Sequence, residues 1–97
     1  MMFWVYIIYS QKIDRFYIGY TENLTKRLEQ HNHHTFKDAF TNRAADWQFF
    51  YTIECSGEKQ ATGIEGHLKK CKSRTYLDNL RKYPEISNKL KMRYSGS

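Results

Sequence analysis

The chain lacks a CxxC pair, a bilayer-length apolar run, a secretory leader and any internal repeat, and each absence narrows what it can be. Its two cysteines, Cys55 and Cys71, do not have the paired spacing of a zinc or dithiol site, so both read as small core or surface residues. The longest mostly apolar stretch, Met1 to Tyr9, falls far short of the roughly 20 residues that cross a membrane. No basic segment precedes it and no small-residue cleavage signal follows. These absences predict an intracellular, cytoplasmic protein with reduced thiols and no membrane partner. With no linker or low-complexity run, 97 residues predict one domain near the lower size limit for an independent core.

Acidic residues are scarce where basic ones gather. The net charge is +6, and the segment Lys69 to Arg93 carries nine Lys and Arg against Asp78 and Glu85, or +7. The remainder therefore sums to −1. A basic stripe confined to part of a small domain is the footprint of a phosphate-backbone binder; the bland reading is a solvated helix surface.

Apolar, aromatic and β-branched residues from Met2 to Ser10 predict a strand covered on both faces, and Phe16 to Tyr20 resumes that pattern after a polar turn, as in a hairpin. Leu24 and Leu28 lie one helical turn apart, with Thr21 or Asn23 able to cap a first helix that ends near Asn32. His33 to Asp46 shows no periodicity and reads as a long connection, and Trp47 to Cys55 is a third strand. Ser56 can cap a second helix with Ala61, Ile64, Leu68 and Cys71 on one face; Gly63 and Gly66 in it reflect close approach of another backbone or simple tolerance. Ser73 can cap a third helix carrying Tyr76, Leu77, Leu80 and Tyr83, and Pro84 can open a fourth with Ile86, Leu90 and Tyr94. The expected class is α+β, a small three-stranded antiparallel sheet flanked by helices in the order β-β-α-β-α-α-α.

Several residues can carry chemistry. Arg27 and His31 are four apart and share a helix face, offering a cation and a titratable imidazole together. Glu65 lies at the edge of the second helix's apolar face, either as an i,i+4 partner for Lys69 or as a ligand for a hard cation. His67 projects about 200° away from Glu65 and cannot share a ligand with it, which makes it a surface residue. His33 and His34 fall in the long loop, exposed by default or in contact with substrate. Tyr6 and Tyr17 either pack or act. A four-residue turn, Gln11 to Asp14, pairs Tyr6 with Gly19 and Ile8 with Tyr17 and brings both tyrosines to one face. A turn one residue longer separates them unless a bulge intervenes.

The series WVYII, FYIGYT, LTKRLEQHN, AFT, DWQFFY and IEGHLKKCKSRTYL, from about Phe3 to Leu80, resembles a GIY-YIG nuclease domain of the short single-domain bacterial kind. YIG is literal at Tyr17-Ile18-Gly19, whereas Trp4-Val5-Tyr6 keeps the tyrosine of the first motif without its glycine. On this resemblance residues 1–83 form the nuclease-like domain, and 84–97 add a basic helix and frayed tail to the same domain. Tyr6 is implied as general base, with Tyr17 orienting the water or sharing that role and Gly19 allowing close packing beside them. Arg27 is implied to stabilise the phosphate and to favour phenolate, and His31 to position a phosphate or assist proton transfer. Glu65 is implied to hold one Mg²⁺ or Mn²⁺ ion. Asn32, Asn79 and Lys69 are candidates for a further polar group, and Lys69, Lys70, Lys72 and Arg74 for DNA-backbone contacts. The implied activity is metal-dependent DNA hydrolysis, with RNA not excluded and selectivity that is low, based on structure or supplied by a protein partner. The implied state is a monomer or weak dimer. The missing motif glycine, the two glycines around Glu65 and the short chain leave a rival reading, a non-catalytic nucleic-acid-binding domain on the same fold.

Overall fold

The computed structural model describes residues 2–34, 40–71 and 73–95. Its elements are β1 (Phe3–Ser10), β2 (Arg15–Thr21), α1 (Leu24–Asn32), a 3₁₀ turn (Phe40–Arg43), β3 (Gln48–Cys55), α2 (Glu58–Cys71), α3 (Arg74–Lys82) and α4 (Pro84–Arg93). The sheet is antiparallel in the order β2-β1-β3, so the expected α+β class and element order are found.

β1 is central and its residues Val5 to Ile8 are buried without a break. The reason is that each sheet face meets a different layer. Val5 and Ile7 pack with Ile53 and Cys55 against Ala61, Ile64 and Leu68 of α2, Leu77 and Leu80 of α3, and Leu90 of α4. Tyr6 and Ile8 face the opposite way, onto Trp47, Ala44, Tyr17 and the α1 leucines Leu24 and Leu28. Burying one such aliphatic chain contributes about 1.5–3 kcal/mol, so the larger layer dominates folding and the smaller one holds the polar chemistry.

The hairpin takes the four-residue turn. Ser10 pairs with Arg15, Ile8 with Tyr17 and Tyr6 with Gly19. Asp14 closes the turn at φ 53°, accepting from Tyr9 Oη at 2.5 Å and pairing with Arg74 at 2.7 Å. Between β1 and β3 the register slips at Ile7/Ile8.

Four local expectations change. Ser56 does not cap α2 through its hydroxyl: the helix begins later, and Gln60 Oε1 instead accepts from the Ser56 backbone N–H at 2.8 Å. Tyr83 is half exposed and lies outside the packed face of α3. The aperiodic connection contains a 3₁₀ turn that buries Thr41. Gly63 has a specific reason, because an added Cβ would stand 2.6 Å from the Tyr94 ring, whereas Gly66 meets nothing and is merely tolerated.

Candidate active site

A cavity of about 610 Å³ is lined by Tyr6, Tyr17, Gly19, Arg27 and Glu65. The hairpin register places the first three on one sheet face. α1 starts where Asn23 Oδ1 accepts from Lys26 N at 3.0 Å, and this sets Arg27 one turn in, at the cavity. α2 packs on β1 and β2 and contributes Glu65. The four groups whose convergence a catalytic reading requires therefore meet on one concave surface.

Gly19 makes the tyrosine arrangement possible. A Cβ there would collide with the Tyr6 hydroxyl and stand 2.6 Å from its Cζ. Tyr6 is 2% exposed, so its ring cannot swing away. Gly19→Ala is expected to cost about 1–3 kcal/mol, the usual penalty of overpacking, read as a lowered urea midpoint. An unchanged midpoint would contradict this contact.

Behind the cavity lies a buried polar chain. Tyr6 Oη is 2.8 Å from His31 Nε2, and His31 Nδ1 is 2.7 Å from Thr41 Oγ1. Arg27 lines the cavity beside Tyr6, and its charge acts on the phenol. His31 is 3% exposed and is not part of the cavity lining, so it stands behind Tyr6, hydrogen-bonded to its hydroxyl. Burial pushes the Tyr6 phenol up to about 12; the Arg27 charge opposes this without reversing it. The expectation that Arg27 favours phenolate thus holds in direction only, because desolvation outweighs it.

Burial, with the Arg27 charge adding to it, pushes His31 down to about 4. The unfolded chain binds this proton more tightly than the native one, since a free imidazole titrates near 6.5. Stability from the neutral buried imidazole is therefore complete above about pH 6.5 and is lost as pH falls through about 4, on the order of 3 kcal/mol in all. Denaturant titrations from pH 7.5 to 4 should show this decline and show it weakened in His31→Gln. Parallel curves for the two proteins would remove the assignment.

Glu65 lines the cavity and pairs with Lys69 at 3.5 Å, with side chains 19% and 50% exposed. The i,i+4 alternative is thus realised, and an exposed pair of this kind is worth only about 0.3–0.5 kcal/mol. Lys69 Nζ also lies 5.9 Å from the Tyr17 ring centroid. Among the described residues no three His, Cys, Asp or Glu side chains gather as a metal cage. Glu65 beside the two tyrosines, with Glu22 and Glu58 on the same cavity lining, fits Mg²⁺ or Mn²⁺, hard ions that keep several waters and draw further ligands from substrate phosphates.

The remaining candidates separate clearly. Asn32 clamps the Trp47 backbone, donating to its carbonyl at 3.0 Å and accepting from its N–H at 2.7 Å, so its role is structural. Asn79 does not line the cavity. His33 is exposed, and His34 donates to the Ala44 carbonyl at 2.8 Å. His67 is not a surface residue: it sits between Tyr76 Oη at 3.3 Å and Tyr94 Oη at 3.4 Å, bridging α3 and α4. Lys70 is exposed, Lys72 lies outside the described residues, and Arg74 is engaged by Asp14 across the hairpin. Thr41 escaped sequence reasoning because an aperiodic loop gives no facing rule. Tyr20 and Phe3, which line the cavity with rings 6.3 Å apart, escaped because strand aromatics read as packing.

No helix among the described residues is long and apolar enough to cross a membrane. The family model described as GIY-YIG catalytic domain matches residues 2–79. No curated protein and no solved structure is matched.

Proposed function

Because this chain belongs to the GIY-YIG family, whose members are endonucleases, we propose that it is a divalent-metal-dependent endonuclease that hydrolyses DNA phosphodiesters with structure-based selectivity. The observation that carries this reading is the convergence of Tyr6, Tyr17, Arg27 and Glu65 on one cavity.

Hydrolysis needs an in-line water, a place for its proton and charge stabilisation on the phosphoryl oxygens. Tyr6 supplies the second. Burial raises the Tyr6 phenol and lowers the His31 imidazole, so both shifts favour the neutral pair in the resting site. The consistent path is concerted: the phenol oxygen takes the water's proton while its own proton passes to His31 Nε2, the water oxygen bonds phosphorus, and the leaving oxygen departs with the electron pair of its bond and is protonated from solvent in the open cavity, after which His31 returns its proton through Tyr6. Arg27, in the cavity lining, neutralises the phosphoryl oxygens, and Tyr17 orients the water. Glu65 would hold the metal ion, whose chemistry is to polarise the phosphoryl group and stabilise the charge on it. Lys69 and Lys70 supply nonspecific backbone contacts, which position a substrate without reading its sequence.

The test is cleavage of flapped, branched and plain duplex DNA and matched RNA with Mg²⁺ or Mn²⁺. Cutting of a branched or flapped DNA above plain duplex is expected. Binding without cutting of any substrate would leave the non-catalytic domain, and preferential cutting of RNA would replace the substrate.

A further inference from the structure

We propose that Phe3 and Tyr20 form a subsite for one unstacked nucleobase of the strand being cut, beside the phosphate that the catalytic groups receive. The cavity lining is of two chemical kinds. Lys26, Arg27 and Gln30 come from one turn of α1 and offer N–H donors suited to phosphate and sugar oxygens. Phe3 and Tyr20 line the same cavity with aromatic surface, their ring centroids 6.3 Å apart. A nucleotide presents those two kinds of group together, an anionic backbone and a flat base. Every base has a π-face, so stacking on such rings tolerates any sequence.

Val5 pairs with Tyr20, and Phe3 stands two residues before Val5, so both rings belong to the sheet face opposite Tyr6 and Gly19. The cavity therefore runs over the outer edge of β2, with the tyrosines of the motifs on one side and the aromatic pair on the other. Both rings are half-buried, packed against the larger apolar layer. Tyr20 Oη donates to Glu58 Oε2 at 3.2 Å, which ties the far end of its ring to the start of α2. A pair held this way offers stacking surface with little left to order on binding. The volume of about 610 Å³ is typical of sites for small molecules and has room for a nucleotide-sized group. A base inside a duplex must leave its stack to reach these rings, at a cost that is least when it is mismatched or single-stranded. The subsite thus gives one small domain a preference for flaps and junctions. The placing of the base beside a cleaved phosphate rests on the nuclease reading; its stacking on the pair does not.

The first measurement is fluorescence anisotropy of the full chain in EDTA, with a labelled single-stranded oligonucleotide and an abasic strand of the same length and charge. Wild type should bind the base-bearing strand about five- to a hundredfold more tightly. Tyr20→Leu should lose most of that preference, and Phe3→Leu should do the same and serves if the first variant does not fold. Tyr20→Phe, which gives up only the hydroxyl, should retain it. The second measurement is cleavage of a flap DNA with Mg²⁺, an abasic position being moved one nucleotide at a time across the cut. Wild type should slow at one position next to the cut, and Tyr20→Leu should be indifferent to it. Equal affinity of wild type for the two strands, or a preference kept in both leucine variants, overturns the proposal. Cutting with no dependence on the abasic position also overturns it and leaves the nuclease reading standing. The expected binding results with no cutting by wild type would support the base subsite while removing the nuclease reading.

Discussion

Glu65→Ala is expected to lower single-turnover DNA cleavage at least about a thousandfold while changing DNA affinity only a few-fold. A metal ion's charge stabilisation is worth several kcal/mol of barrier, and each 1.4 kcal/mol is a factor of ten. Glu22 and Glu58 also line the cavity, and Glu58 accepts from Tyr20 Oη at 3.2 Å, so a loss of this size requires that neither replaces Glu65 at the metal. Affinity should persist because it comes mainly from the basic residues concentrated between Lys69 and Arg93. Folding should persist too, since the variant gives up only the exposed pair with Lys69 at 3.5 Å. Three measurements separate these claims: cleavage against Mg²⁺ concentration, the slope of log affinity against log salt, and Mn²⁺ binding followed by electron paramagnetic resonance. Cutting that survives in Glu65→Ala, or unchanged Mn²⁺ binding, would remove the carboxylate from the metal site.

The parts of this arrangement that sequence made legible are those governed by short-range periodicity. A strand's period of two, with a four-residue turn, was enough to bring Tyr6, Tyr17 and Gly19 together. A helix's i,i+4 spacing linked Glu65 to Lys69, and the family motifs marked all of them. Burial was not legible. Arg27 and His31 share spacing on α1, yet Arg27 lines the cavity and His31 lies under Tyr6, because the covering residue, Thr41, comes from a loop without periodicity. The electrostatic consequence was hidden for the same reason: desolvation depends on what the chain folds over a side chain, and it overrides the Arg27 charge at Tyr6. Arg74 shows the long-range limit, since its partner Asp14 is sixty residues away and in a turn.

Tyr6→Phe is expected to slow cleavage about a hundred- to ten-thousandfold, the range associated with a positioned general acid or base, with Mn²⁺ and DNA binding kept. The ring still fills its space across Gly19, so packing survives. What is lost is one hydroxyl that is hydrogen-bonded to His31 Nε2 at 2.8 Å and belongs to a side chain lining the cavity. Leaving the His31 nitrogen buried without its partner should also cost about 1–3 kcal/mol of stability. The comparison with Tyr17→Phe assigns the base. Tyr17 packs its ring 5.1 Å from His31 without hydrogen-bonding it, so its loss should misplace the water and reduce cleavage less. A larger loss in Tyr17→Phe would exchange the two roles. His31→Gln alone should slow cleavage, and combined with Tyr6→Phe it should add little, because residues that move one proton fail as a unit. Fully multiplicative losses in that double variant would show that the proton leaves Tyr6 by another route.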